Sequence, residues 1–405
     1  MSKMLSRRAL LKSLSAMGCS AAAHPLMSTV TFASAPWDNR LVVIILRGGM
    51  DGLDAVRPVG DPNYALTRKS SVNDTLKLGG MFGLHPAFEP LMPLWRKGEL
   101  GFAHATSTPY RDKRSHFDGQ DLLEAGTGMD VTIGAQRDGW LNRLLQTIPG
   151  LTSETAFAVG ASDMNILRGP APSSHWSPRT ELQLSTAAQQ LLEHIYHDDP
   201  IFRDAAAQAI LLSDAISADR DAAEGDEDAE MMMDMMKPSA GKPERALAAF
   251  AADRLNHDTR IASFSISGWD THNGQDFRMK VMLGRLADAI LTLKTGLGDN
   301  WGRTTVLAMT EFGRTVQLNG SGGTDHGTAG AMLVAGGAVN GGRVFGRWPG
   351  IAEADMYDRR DLMPTTDVRA YAAWAMRGLF GLDRGVLEDA VFPGLDMGAD
   401  EGLLL

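Results

Sequence analysis

Residues 304–337 have the sequence TTVLAMTEFGRTVQLNGSGGTDHGTAGAMLVAGG, which holds two short apolar runs joined by a glycine-rich loop. The first run, residues 305–309, has the length and the β-branched content of a buried strand. The second run, residues 331–334, leads into a Gly-Gly pair. The stretch therefore predicts two buried strands of a sheet, with a long polar connection between them.

The polar residues of this stretch lie next to the predicted strands. Glu311 follows the first strand, and Asp325 and His326 come shortly before the second. Ligands of open α/β sheets bind at such strand ends, and Glu, Asp and His are common metal ligands. A metal site is one interpretation. The alternative is an ion pair between Glu311 and Arg314, with a turn at Asp325 and His326.

Two other apolar runs end in the same kind of residue. Residues 40–46 (RLVVIIL) form a continuous apolar strand, and Asp51 follows them in a glycine-rich turn. Residues 261–267 (IASFSIS) form another strand, which Asp270 and His272 follow. Asp51 is a candidate metal ligand or a helix-capping residue, and Asp270 and His272 are positioned to point into one cleft.

A fourth strand, residues 100–105, comes before the candidate nucleophiles. Ser107 and Arg111 follow this strand, and Ser115 and His116 stand where a helix is predicted to begin. A hydroxyl at a helix N-terminus benefits from the helix dipole and from free backbone N–H groups, which suits a nucleophile that attacks an anionic ester. The same position suits an N-cap serine, so both interpretations stay open.

The pattern as a whole predicts an α/β fold with a mostly parallel central sheet, because parallel βα units bring their strand ends to one edge. The amphipathic run 277–297 is the expected crossover helix before residue 304. Carboxylates and imidazoles at that edge, beside a serine, would form a metal-assisted phosphoryl- or sulfuryl-transfer site. Further predicted elements are a strand at 155–159, short helical pieces at 84–96, and helices at 115–124, 140–146, 182–216, 245–255 and 366–380.

The N-terminus predicts export. Residues 1–35 contain Arg7 and Arg8 in a twin-arginine motif, a weakly apolar stretch and a small-residue cleavage site at 33–35. We expect a signal peptide over residues 1–35, a periplasmic or otherwise exported protein, and one domain over residues 36–405. An acidic, Met-rich insertion is predicted at about 217–243. Whether Cys19 carries a lipid stays open.

Composition excludes several classes of protein. The net charge is −10, and residues 36–405 alone carry 35 basic and 49 acidic side chains, which argues against a nucleic-acid partner. The single cysteine, Cys19, cannot form an internal disulfide. No later run is long enough to predict a membrane-spanning helix.

Six motifs together resemble the signatures of the DUF1501 family of exported bacterial proteins. The motifs are RGGMDGLDAV at 47–56, RSHFDGQD at 114–121, GWDTHNGQ at 268–275, TEFGRT at 310–315, TDHGTAG at 324–330 and GGRVFGRWPG at 341–350. This family is similar to the alkaline phosphatase and sulfatase superfamily. The resemblance implies a three-layer α/β/α fold of the alkaline phosphatase type with one or two divalent cations, Zn, Ca or Mg.

The resemblance also implies roles for individual residues. Ser107 and Arg111 resemble a sulfatase Cys-x-Pro-x-Arg motif that carries serine in the first place. Ser115 and His116 match the family's own hallmark, so Ser107 and Ser115 are both candidates for the nucleophile, and whether either is used stays open. Phe312 stands where the superfamily has a ligand histidine. The implied metal ligands are Asp51, Asp270, His272, Glu311, Asp325 and His326.

Two functions from different classes follow from this sequence. The first is a metal-dependent hydrolase of small or polymer-borne phosphate or sulfate esters in the cell envelope, exported by the twin-arginine translocon. The second is a catalytically degenerate family member that acts as a periplasmic binding or assembly protein with an envelope partner. A third, copper handling, would use the Met-rich run at 231–236.

Overall fold

The structure, a computed structural model, describes residues 37–68, 74–129, 138–148, 150–160, 164–176 and 243–405. The predicted signal peptide, Cys19, the helix at 182–216 and the Met-rich insertion up to residue 242 lie outside the described residues. The strands are β1 (Arg40–Arg47), β2 (Val56–Arg57), β3 (Leu76–Lys77), β4 (Gly83–Leu84), β5 (Leu100–Ser107), β6 (Ala156–Val159), β7 (Ser174–Trp176), β8 (Ile261–Ser267), β9 (Thr304–Met309), β10 (Gly330–Ala335), β11 (Val344–Phe345) and β12 (Thr366–Asp367).

Helices fill most of the connections between these strands. The α-helices are α1 (Gly52–Ala55), α2 (Tyr64–Thr67), α3 (Met92–Arg96), α4 (His116–Ala125), α5 (Trp140–Gln146), α6 (Pro243–Leu255), α7 (Gln275–Leu297) and α8 (Val368–Phe380). The shorter helical turns are Pro86–Leu91, Ser153–Thr155, Asn165–Leu167, Gly298–Arg303, Glu353–Asp355 and Val386–Val391. Among the described residues, no helix is long and apolar enough to cross a membrane.

Strand β1 lies near the middle of the main sheet and is buried on both faces. Val42, Ile44 and Leu46 pack on one side, and the residues between them pack on the other. In the described part of the chain the main sheet has the order β11-β5-β10-β9-β1-β8-β6-β7, with β12 also paired to β5. A side chain points to alternate faces along a strand, so a continuously apolar strand needs a helical layer on each side.

Helices supply both layers. Helices α6 and α7 cover one face, where Leu283, Leu286 and Ile290 of α7 are buried at helical spacing. Helices α5 and α8 cover the other face. Each aliphatic side chain buried in this way contributes about 1.5–3 kcal/mol relative to an exposed one. The predicted three-layer α/β/α fold is confirmed.

One strand, β10, runs against the others. It is antiparallel to both of its neighbours, β9 and β5, while the remaining pairs of the main sheet are parallel. The edge at which β1, β5, β8 and β9 end is therefore the edge at which β10 begins. A parallel β10 would have placed the preceding residue His326 at the opposite edge, so this reversal brings the whole residue 310–329 connection to the site.

A buried histidine in β5 predicts that the fold is sensitive to acid. The His104 Nε2–H donates to Val56 O at 2.9 Å, and Nδ1 accepts from the Ala105 N–H at 2.8 Å. Burial lowers the pKa of His104 to about 4. Between pH 6.5 and 4, His104 binds a proton in the unfolded chain but not in the folded chain. The contribution of neutral His104 to the stability of the fold is therefore complete above pH 6.5 and is lost as the pH falls toward 4.

The variant His104→Gln should therefore be less stable than wild type at pH 7, and this difference in stability should shrink as the pH falls. We expect the difference in free energy of unfolding between wild type and His104→Gln to shrink by about 3 kcal/mol between pH 7 and pH 4. Urea titrations at several pH values measure it, and the exposed His257→Gln serves as the control. A difference that stays constant across this range would contradict the prediction.

Candidate metal centre

Three chain segments bring metal-ligating side chains together at the edge where β10 begins. His116 is the first residue of α4, Asp270 follows β8, and His326 precedes β10. Each of these residues offers one ligand atom, and the three atoms lie within 4.8 Å of one another. The edge of the sheet therefore carries a candidate cation site.

The Asp270 carboxylate is the centre of the cluster. Its Oδ2 lies 3.5 Å from His116 Nε2. Its Oδ1 lies 3.1 Å from His272 Nε2 and 3.4 Å from His326 Nε2. Three imidazoles thus present the same ring nitrogen to one carboxylate, with side chains that are 17% to 45% exposed.

The other ring nitrogen of each histidine is held by an acceptor. His116 Nδ1 donates to Glu311 Oε1 at 2.8 Å. His272 Nδ1 donates to Asp325 Oδ1 at 3.2 Å, and His326 Nδ1 donates to the carbonyl of Arg114 at 2.8 Å. A carboxylate or carbonyl oxygen can only accept, so a neutral ring that donates from Nδ1 has a lone pair on Nε2, the nitrogen nearest Asp270, with which it can bind a cation.

These tautomers leave lone pairs without donors. His272 Nε2 and His326 Nε2 lie 3.1 Å apart, and neither can donate to the other while both Nδ1 atoms are protonated. His116 Nε2 is buried and has no hydrogen-bond partner in the described part of the chain. A cation between the rings would satisfy all three nitrogens, so the residues present fit a metal ion.

Glu311 is the best-buried group of the site. Its Oε1 accepts from the Gly48 N–H at 2.8 Å and from Gln120 Nε2 at 3.1 Å, in addition to His116. Gly48 has a φ of 121°, and an added Cβ would lie 2.6 Å from the backbone nitrogen of Asp270, so only glycine fits there. The turn after β1 thus fixes Glu311 and, through it, the His116 ring.

Charge within the cluster shifts the pKa values of its members. The hydrogen bond to Glu311 raises the pKa of His116, although burial opposes the shift. Burial would raise the pKa of Glu311, but hydrogen bonds from His116 and its other donors outweigh it and hold that pKa below its usual value. Burial would also raise the pKa of Asp270, but the hydrogen bond and the charge of the Arg314 guanidinium outweigh burial, so the pKa of Asp270 is lowered. Burial lowers the pKa of His326.

Phe312 closes one side of the cluster. Its ring centroid lies 5.0 Å from that of His116 and 5.1 Å from that of His326, and the side chain is buried. Tyr110 also stacks on Phe312, with centroids 6.1 Å apart. Phe312, which stands where the resemblance implies a ligand histidine in the superfamily, is therefore an apolar wall of the cluster.

Asp51 has different partners from those expected of a ligand. Its Oδ1 accepts from the Leu53 and Asp54 N–H groups as the N-cap of α1. Its Oδ2 accepts from Arg68 at 2.9 Å and from Gln275 at 2.5 Å. The carboxylate is fully buried, and the structure places it in this network and not in the His-Asp cluster.

The candidate nucleophiles lie in different surroundings. Ser115 is the N-cap of α4, next to His116, and its hydroxyl accepts from the Asp118 N–H at 3.4 Å. Ser107 is buried and donates to the carbonyl of Thr108 at 2.7 Å. The Arg111 guanidinium donates to backbone carbonyls of its own loop. Ser115 is therefore the neighbour of the cluster member His116 in the chain, whereas the Ser107 hydroxyl bonds the backbone.

Arg314 is a member of the site that the sequence did not indicate. Glu311 bonds His116 instead of Arg314, and the fully buried Arg314 side chain donates to Asp270 Oδ1 at 2.8 Å. The only signal in the sequence was its position, three residues after Glu311. Asp325, expected as a ligand, orients His272.

The fold and the cluster define an α/β/α protein with a candidate cation site at one sheet edge. The chain belongs to the family described as "Protein of unknown function (DUF1501)", whose model matches residues 101–389. The predicted family is thereby confirmed. No curated protein matches this chain.

Several solved structures are similar to this chain at low identity. The lipoteichoic acid synthase LtaP from Listeria monocytogenes is 9% identical, with 89% of this chain and 76% of that chain covered and a TM-score of 0.41. A protein of the alkaline phosphatase superfamily from Vibrio parahaemolyticus is 12% identical, with 82% and 69% covered and a TM-score of 0.36. The alkaline phosphatase from the Antarctic bacterium TAB5 is 11% identical, with 75% and 92% covered and a TM-score of 0.31.

Proposed function

We propose that this protein binds a divalent cation at His116, Asp270, His272 and His326 and hydrolyses a phosphate or sulfate ester outside the cytoplasm. One observation carries the proposal: three imidazoles with their Nδ1 protons fixed by acceptors turn Nε2 toward a single carboxylate. Histidine with one carboxylate is a donor set of Zn²⁺ and similar transition metals, whereas Ca²⁺ and Mg²⁺ take oxygen ligands. We therefore favour Zn²⁺ over the other two candidates.

Each protein group has a separate task in this proposal. A bound divalent cation would supply positive charge to ester oxygens and lower the pKa of a hydroxyl beside it. Glu311 and Asp325 orient the rings of His116 and His272. Phe312 keeps water from one side of the rings. Ser115, at the positive end of α4, is the proposed nucleophile because backbone N–H groups beside it favour an anionic ester.

Basic side chains support an anionic substrate. Arg111, Lys113 and Arg114 lie within five residues before His116, and the Arg114 carbonyl bonds His326. Lys113 and Arg114 are exposed. In a chain with a net charge of −10 such a local basic group attracts anions to this edge.

The second candidate function is a binding or assembly protein without catalysis. The observation that favours it is the burial of Asp51 against Arg68, together with Phe312 against two of the rings. Under this alternative the cation would stabilise the edge of the sheet, and an envelope partner would bind there. The predicted twin-arginine signal is compatible with both functions.

Metal analysis and an ester panel decide between the two functions. We would measure bound metals in the purified protein and then the hydrolysis of p-nitrophenyl phosphate and p-nitrophenyl sulfate. His326→Gln should lose metal and activity together, Ser115→Ala should lose activity but keep metal, and His257→Gln should keep both. Bound metal with no turnover of either ester would support the binding function, and no bound metal would refute both the site and the hydrolase.

Glu311→Gln should weaken metal binding without removing a proposed ligand. The amide loses the charge that holds His116 Nδ1–H and presents an N–H group to the donors around it. We expect metal affinity to fall about 10- to 100-fold, the usual cost of an altered outer-shell partner. Competition with a chromophoric chelator measures it, with Glu353→Gln as an exposed control. Unchanged affinity would show that Glu311 does not act through His116.

A further inference from the structure

We infer that Arg314 is a positioning residue that restricts the site to one cation, and this inference rests on the proposed metal site. Arg314 follows β9, and its side chain is completely buried, although Asp270, its ion-pair partner, is 42% exposed. A buried guanidinium is costly unless every donor is used. The acceptors of its N–H groups therefore indicate the role of Arg314.

All three guanidinium nitrogens are satisfied. Nη1 donates to Asp270 Oδ1 at 2.8 Å and to the Gly48 carbonyl at 3.4 Å. Nε donates to Thr324 Oγ1 at 3.1 Å, and Nη2 donates to Thr324 O at 2.5 Å. The guanidinium is thus held between the turn after β1 and the loop before β10, and its Nη1 bonds Asp270.

A buried network continues from Arg314 to Asp51. Thr324 Oγ1 donates to Gln275 Oε1 at 2.7 Å, and Gln275 Nε2 donates to Asp51 Oδ2 at 2.5 Å. Arg68 closes the far end at 2.9 Å from Asp51. Each hydroxyl and amide has one consistent direction, because Asp51 can only accept and Thr324 must accept from Arg314. The two arginines therefore hold the two aspartates at a fixed separation.

The network decides how Asp270 meets a cation. Oδ1 accepts from Arg314 and also lies 3.1 Å from His272 Nε2 and 3.4 Å from His326 Nε2, whereas Oδ2 faces His116 Nε2 at 3.5 Å. A fixed hydrogen bond on one oxygen orients the carboxylate, as outer-shell donors do for metal ligands. The Arg314 guanidinium also engages Oδ1 with a permanent positive charge at 2.8 Å, so Asp270 has less negative charge to offer a second divalent ion.

The remaining carboxylates near the cluster are already engaged. Glu311 accepts from His116, Gln120 and Gly48, and Asp51 accepts from Arg68. Asp325 accepts from His272 and Asn319. A second divalent ion would have to displace these donors, and Arg314 already supplies a positive charge to Asp270, so the carboxylates of the site suffice for one cation.

The test is metal stoichiometry and affinity in Arg314 variants. We expect wild-type protein to bind one equivalent of Zn²⁺ or Co²⁺. Arg314→Met should bind about 10- to 100-fold more weakly and shift the visible absorption of bound Co²⁺, because Asp270 loses its orientation. Arg314→Lys should recover part of the affinity, and the exposed Arg384→Met should match wild type.

A milder variant keeps the test decisive if Arg314→Met does not fold. Thr324→Val retains the arginine charge but removes the hydroxyl that receives Nε, and it should weaken Zn²⁺ binding and shift the Co²⁺ spectrum in the same direction. Two equivalents of metal in wild type, or a wild-type affinity and spectrum in both Arg314→Met and Thr324→Val, would overturn the inference. Because the readouts are binding and absorption, a protein that binds one ion but hydrolyses no ester would leave this inference intact while the hydrolase proposal fails.

Discussion

Arg68→Met should lower the free energy of unfolding by about 3–5 kcal/mol, the cost of removing one partner of a buried ion pair. Arg68 is fully buried, with Nη1 on Asp51 Oδ2 at 2.9 Å and its other donors on the carbonyls of Thr315 and Val316. Methionine fills similar space but leaves a buried carboxylate without a counterion and two carbonyls without donors. Urea or thermal unfolding measures the loss, with the exposed Arg359→Met as the control.

A double variant separates charge from packing. Asp51→Asn combined with Arg68→Met removes both charges, so it should recover part of the stability lost in Arg68→Met. Metal affinity adds an independent readout. If Asp51 only stabilises the fold, a folded Asp51→Asn protein should still bind the cation. Its affinity should fall only as far as the change disturbs the hydrogen bonds that connect Asp51 to Arg314. Complete loss of binding in a folded Asp51→Asn protein would instead support the ligand role expected from the sequence.

Asp270→Asn should reduce metal affinity by more than about 100-fold, because losing the charge of a proposed ligand should cost more than the roughly 10- to 100-fold effect of altering an outer-shell partner. The Asp270 carboxylate lies within 3.5 Å of all three Nε2 atoms and carries the negative charge of the proposed ligand set. Asparagine has the same shape but no charge, and it leaves the buried Arg314 without its counterion. The three histidines remain, so weak binding should persist.

Zn²⁺ titration against a chelator of known affinity measures this loss. Asp253→Asn is the matched control, because Asp253 is exposed and pairs only with surface residues among those described. Wild-type affinity in Asp270→Asn would remove Asp270 from the proposed site and with it the central element of the function. A parallel unfolding experiment without metal separates this effect from destabilisation of the fold.

The sequence predicted the sheet well because buried strands have strong local signals. The run 261–267 was predicted with the bounds of β8, and the run 40–46 differs from β1 by one residue. A run made mostly of apolar residues with glycine just after its end is a property of a short segment, so it needs no knowledge of distant contacts. The crossover helix α7 was predicted for the same reason, from its helical spacing.

The direction of β10 and the partners of the arginines could not be predicted in this way. Strand β10 is antiparallel because of how it pairs with β9 and β5, and a run of apolar residues does not indicate in which direction its strand will run. The nearest acid to Arg314 in sequence is Glu311, yet the arginine bonds Asp270, which belongs to another strand end. A long side chain can reach a partner that is distant in sequence, so local spacing indicated a Glu311–Arg314 pair that the structure does not form.

The residues around Asp270 come from opposite halves of the chain, with His116 in the first and His326 in the second. An unfolded polypeptide does not hold them together, so the proposed cation would bind only after tertiary assembly and would raise the melting temperature. If the protein is exported in its native shape, as the predicted twin-arginine signal implies, the site would already be assembled, and able to bind metal, in the cytoplasm.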